Sequence, residues 1–97
     1  MADYILSASA LEDIRAIGDY TKDKWSEERA EIYVRMLLAE CRELAYKPLL
    51  GRDYKRFRPG LRGYPCGKHV IFYRILNNGK IRIVRILHER MDFLRKL

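Results

Sequence analysis

The sequence is 97 residues long, 48% hydrophobic and 34% charged, which gives room for one domain with one modest core and excludes a disordered chain. No apolar run approaches the roughly 20 residues of a membrane helix and no leader pattern opens the chain, so no membrane association and a cytoplasmic location are expected. The net charge of +7 is regional: residues 1–50 hold 7 Lys/Arg against 10 Asp/Glu, net −3, whereas residues 51–97 hold 13 against 3, net +10, which favours a polyanionic partner, either nucleic acid or an acidic protein segment.

Tyr4-Ile5-Leu6-Ser7 reads as a short strand closed by small polar residues. Ser7 and Ser9 are rival caps for a first helix. Ser9 has Glu12 three positions on, as in a capping box. The stripe Leu11, Ile14, Ile17 or Gly18, Thr21 and Trp25 has helical spacing. Ser26 caps a second helix, with Glu27 and Glu28 where the helix dipole favours negative charge. Its stripe of Ala30, Tyr33 or Val34, Leu37, Cys41, Leu44 and Ala45 stops before Pro48. With almost no loop between them, the two helices form an antiparallel hairpin. Trp25 and Tyr33 fall on the buried stripe and read as core. Ile32 and Met36 lie off it, as an enlarged core edge in preference to a partner-facing patch.

Residues 48–59 read as an exposed basic loop, in which Tyr54 and Phe57 are interleaved with Arg52, Lys55, Arg56 and Arg58. Residues 61–64 form a weak strand, 66–68 a turn and 69–76 a strong strand. Asn78-Gly79 suits a two-residue type I′ hairpin turn before a returning strand from Lys80 to His88. A two-residue turn pairs Leu76 with Ile81, Arg74 with Ile83, Phe72 with Arg85 and Val70 with Leu87 on one sheet face. On the other it pairs Ile75 with Arg82, Tyr73 with Val84, Ile71 with Ile86 and His69 with His88, so that neither face is purely apolar. Cys41 and Cys66 have no metal-type spacing to either histidine and read as reduced structural thiols, with no metal or cofactor expected.

The ordered set of strand, helical hairpin, basic loop, three-stranded meander and tail resembles the RelE/ParE toxin superfamily, particularly its ParE branch. The residues that carry this are Leu6-Ser7, Asp13-Ile14, Tyr20, Trp25, Ala30, Tyr33, Pro48 and Gly51, then Arg58-Pro59-Gly60-Leu61-Arg62, His69 and Phe72-Tyr73-Arg74. The run Arg85-Ile86-Leu87-His88-Glu89-Arg90-Met91-Asp92 is the most specific. The resemblance implies a single α+β domain over residues 1–97, with a helical hairpin on a mainly antiparallel sheet and a short C-terminal helix. It also implies one half of a type II toxin–antitoxin pair, neutralised by a ParD-like antitoxin, with DNA gyrase as target and operator DNA reached only through the antitoxin.

RelE-like relatives are ribosome-dependent nucleases that cut messenger RNA, the alternative reading for this chain. A histidine would shuttle the proton and arginines would stabilise the phosphate, and His69, His88, Arg62, Arg82 and Arg85 are the candidates. The tail lacks the terminal tyrosine those nucleases use, Glu89 follows His88 where some of them have a tyrosine, and Glu89, Arg90 and Asp92 suit local ion pairs at the start of a tail helix. Both histidines therefore read as structural, and no catalytic residue is assigned. The expected partner-binding surface is Arg58, Arg62, Tyr73, Arg74, Arg82, Arg85, His88 and Arg90. Met91, Asp92, Phe93, Leu94 and Arg95 are expected to form a tail needed for toxicity.

Overall fold

A computed structural model describes residues 3–97. In chain order it contains β1 (Tyr4–Leu6), α1 (Ala8–Lys24), α2 (Glu27–Tyr46), β2 (Arg52–Asp53), β3 (Arg62–Cys66), β4 (His69–Ile75), β5 (Ile81–His88) and α3 (Phe93–Lys96). The five strands lie in the order β1-β5-β4-β3-β2, with β1 parallel to β5 and every other neighbour antiparallel. Among the described residues no helix is long and apolar enough to cross a membrane.

Ser7, not Ser9, caps α1. Its Oγ accepts from the Ala10 amide at 3.0 Å and donates to the Val84 carbonyl at 2.8 Å, so one hydroxyl closes the helix and ties it to β5. Ser26 caps α2 through Arg29 N. Two residues separate the helices, and their hairpin covers one sheet face. The core there joins Ala10, Ile14 and Ile17 of α1 and Leu37, Cys41 and Leu44 of α2 to Ile71, Tyr73, Ile81, Ile83 and Ile86. Both cysteines are buried free thiols, and burial pushes Cys41 up to about 12. The α1 stripe is narrower than its spacing predicts. Leu11 and Trp25 are exposed, Trp25 at 62%, and Ile32 and Met36 are also open rather than core edge.

The β4–β5 turn corrects the expected register. Gly79 has φ +83°, but no other residue type has positive φ among the described residues, so Asn78 cannot complete a type I′ turn. Instead Leu76 N donates to Lys80 O and Gly79 N to Leu76 O, enclosing a three-residue loop, Asn77 to Gly79. The extra residue moves the pairing by one: Tyr73 faces Ile83, Arg74 faces Arg82 and Ile75 faces Ile81. A bulge then restores the expected register, with Phe72 opposite Arg85 and His69 opposite His88. Val84 is the surplus residue. The shift puts Ile81 and Ile83 on the helix side beside Tyr73 and leaves the turn-proximal end of that face apolar, where a two-residue turn would have placed Arg82.

A second, smaller core lies on the other sheet face, around Leu61, Val70, Phe72 and Leu87. Residues 48–59 cover part of it and include β2, so they are not simply an exposed basic loop. Tyr54 packs edge-on to Phe72 at 5.1 Å, and Phe57 meets Phe93 at 6.4 Å. The buried Tyr73 hydroxyl anchors the loop by accepting from Gly51 N at 2.8 Å and donating to Pro48 O at 2.7 Å. A Cβ on Gly51 would lie 2.4 Å from that oxygen, so only glycine fits. Phe93 of α3, 5.0 Å from the Phe72 ring, and Leu97 complete the cover.

Candidate functional site

The eight residues expected to form one surface fall into three places. Tyr73 and Arg62 support the β2 loop. Tyr73 is fully buried, and Arg62 Nη2 donates to Gly51 O at 2.8 Å and Leu49 O at 3.2 Å, bracing the β2 loop from beneath. Tyr73 is thereby corrected from the expected surface, while Arg62 stays half-buried with its guanidinium engaged by the loop.

Arg58, Arg74, Arg82 and Arg85 do converge, with Lys96 as a fifth cation, around an open cleft of about 550 Å3 on the outer sheet face. Each element delivers its residue for a local reason. The one-residue shift at the Asn-Gly turn sets Arg74 directly opposite Arg82, both pointing away from the helices. The bulge at Val84 turns Arg85 outward beside them. Beyond the three residues paired to β1, the exposed edge of β5 is closed from α1: Asp13 Oδ2 accepts from Ile86 N at 2.9 Å and from Arg85 Nε at 2.8 Å, and Oδ1 from Arg85 Nη2 at 2.9 Å. That two-point pairing raises the Arg85 pKa and fixes the guanidinium plane. Its remaining arm donates to Lys96 O at 3.0 Å, while Arg58 donates to Leu97 O and Arg74 to Pro59 O.

His88 and Arg90 belong to a different place. Two adjoining clefts of about 340 and 330 Å3 share Tyr20, His69 and His88 and are bordered by Trp25, Arg90 and Met91. Here β4 and β5 set the histidine rings 5.3 Å apart and edge-on. Tyr33 Oη accepts from Lys68 N at 3.0 Å and shares a second hydrogen bond, of 2.6 Å, with His69 Nδ1. Burial, then the neighbouring His88, push His69 down to about 4, so it is neutral at pH 7. His88 Nδ1 accepts from Arg90 N at 3.2 Å.

The five nuclease candidates are therefore not assembled. His69 and His88 line the aromatic trough, Arg82 and Arg85 line the basic cleft, and Arg62 lines neither. The tail also divides. Phe93 turns inward, Met91 borders the trough, and Leu94 and Arg95 face solvent. Asp92 occupies the α3 cap position without a side-chain cap bond, and the ion pairs expected of Glu89, Arg90 and Asp92 are absent among the described residues.

Sequence reasoning missed Tyr20 and Lys96 as cleft residues and gave Asp13 no role. A carboxylate at the sixth residue of an amphipathic helix carries no local mark of the strand edge 72 residues away that it closes.

Residues 4–93 match the family described as the ParE toxin of the type II toxin–antitoxin system parDE. The chain is 40% identical over 94 residues to Toxin ParE1 of Mycobacterium tuberculosis, covering 97% of this chain and 96% of that one. It is 35% identical over 92 residues to Toxin ParE1 of Caulobacter vibrioides, covering 95% and 94%. Among solved structures, a chain of the chromosomal ParDE system from P. aeruginosa superposes with a TM-score of 0.78 at 21% identity, over 91% of this chain and 96% of that one, and so shares the fold.

Proposed function

The chain belongs to the ParE toxin family of type II toxin–antitoxin systems, and from that premise we propose that it inhibits DNA gyrase in the cytoplasm by binding, without catalysing a reaction, and is neutralised by a ParD-like antitoxin. The observation that carries the binding reading is the separation of the chemistry-bearing side chains. The histidines sit in one cleft and the arginines in another, and His69 titrates far below the range useful to a proton shuttle at neutral pH. Each cleft taken alone is a surface for contact.

Exposed Tyr20, Trp25, Ile32 and Met36 on the helical hairpin supply the apolar anchors that an amphipathic antitoxin segment would cover, and the basic second half supplies attraction for its acidic residues. Operator DNA is then reached through the antitoxin.

Purified chain added to a gyrase supercoiling reaction is expected to inhibit it or leave cleaved DNA, while messenger RNA on translating ribosomes stays uncut. Cleaved messenger with unaffected gyrase would reverse the assignment.

A further inference from the structure

We propose that the basic cleft of the outer sheet face is a binding site for an oligophosphate chain, such as that of a nucleoside triphosphate. Four guanidiniums and the Lys96 ammonium border a cavity of about 550 Å3. That is inside the roughly 300–1,000 Å3 usual for small-molecule sites.

The state of those cations points to a missing anion. Asp13 is the one Asp or Glu side chain in ion-pair contact with any of them among the described residues, and both of its oxygens are already engaged by Arg85 and Ile86 N. Arg74 and the free arm of Arg85 donate to neutral backbone carbonyls, Arg58 donates to the main-chain oxygen of Leu97, and Arg82 has no hydrogen-bond or ion-pair partner among the described residues. A guanidinium bonds an ionised acceptor more strongly than a neutral carbonyl, and its planar fork fits two phosphate oxygens at once.

Arg74 and Arg82 are moreover direct cross-strand partners, an arrangement that destabilises a sheet when both residues carry the same charge. A ligand with several closely spaced negative charges relieves that repulsion, where a single carboxylate relieves only part of it.

The rest of the lining favours a compact phosphate chain over a nucleic acid strand. Its apolar wall is Leu61, Val84 and Leu97, with no aromatic ring, because Tyr54 and Phe57 turn into the second core. Single-stranded nucleic acids are held by basic grooves that also offer rings for the bases to stack on. The site is independent of which macromolecule the toxin attacks.

Calorimetric titration of the full chain with tripolyphosphate, with ATP and with a deoxythymidine oligonucleotide, all at one ionic strength, tests this. Tripolyphosphate and ATP are expected to bind saturably, one per chain. Arg74→Gln and Arg82→Gln each weaken both by about tenfold or more, the loss of one charge-assisted contact. Arg82→Gln removes no bond of the fold, so misfolding does not obscure it. Arg56→Gln, exposed on the loop outside the cleft, leaves both affinities unchanged.

Equal affinities assign the site to the phosphate chain alone, and tighter ATP adds the apolar wall as a nucleoside contact. Absence of saturable binding, or equal losses in all three variants, overturns the proposal. So does an oligonucleotide that binds more tightly than ATP through Arg74 and Arg82, because the cleft would then belong to a nucleic acid strand.

Discussion

The two faces of the sheet are closed by different means. The inner face lies under two helices of 17 and 20 residues, whose small and aliphatic side chains meet Ile71, Ile81, Ile83 and Ile86. The outer face lies under a loop and a four-residue helix, held by single aromatic contacts and by arginines that grip backbone carbonyls. Long periodic elements give the first face a continuous apolar core. The second combines a small core with a charged cleft under a thin cover.

The sharpest test of that contrast is whether the outer cluster is a core at all. Phe72 and Leu37 are both fully buried, one in each cluster. Phe72→Ala is expected to cost about 3–5 kcal/mol and Leu37→Ala about 2–5 kcal/mol in urea unfolding, because each leaves a cavity that its neighbours cannot fill. A loss under about 1 kcal/mol for Phe72→Ala alone would reduce the outer cluster to a loose cover.

The same contrast explains what the sequence made legible. The α2 stripe reads directly as Ala30, Leu37, Cys41, Leu44 and Ala45, because a long helix facing a sheet repeats its buried positions every three or four residues. Trp25 is misread because α1 ends at Lys24 and the non-helical cap residue no longer follows the stripe. The basic cleft is legible as composition but not as a site. Arg74 meets Arg82 only because the turn takes three residues rather than two, which Asn-Gly alone does not settle, and Tyr73 and Arg62 look like surface until the loop they support is in place. The second core is invisible for the same reason: Tyr54, Phe57 and Phe93 are isolated rings without period.

A smaller effect separates the faces by pH. The outer arginines stay charged across the physiological range, whereas His69 on the inner side is held down to about 4 from an ordinary 6.5 by burial and then by His88, against the opposing pull of Asp13 and Glu89. Between those values the unfolded chain binds the proton and the folded chain does not. Stability conferred by neutral His69 is therefore complete above about 6.5 and drains away as pH falls toward about 4. The expected loss is about 1 kcal/mol between about pH 7 and pH 5.5, above the range in which carboxylates titrate. Urea midpoints for the parent chain and His69→Asn should converge as pH falls through this window. Parallel curves would remove His69 as the source.

The smallest change in stability is expected at the most exposed point of the outer cover. Deleting residues 91–97 would test toxicity poorly, since Phe93 and Leu97 go with them and uncover Phe72 and Leu87. Leu94 is 71% exposed on the same helix and packs against neither cluster. Leu94→Ser should shift stability by no more than about 0.5 kcal/mol. If the outward side of α3 meets the target, the same change raises the concentration needed to inhibit gyrase by about tenfold, the usual consequence of truncating an apolar anchor in an interface. An unchanged inhibition curve would mean that α3 acts only as cover, and the contact with the target would then have to come from the clefts on either side of it.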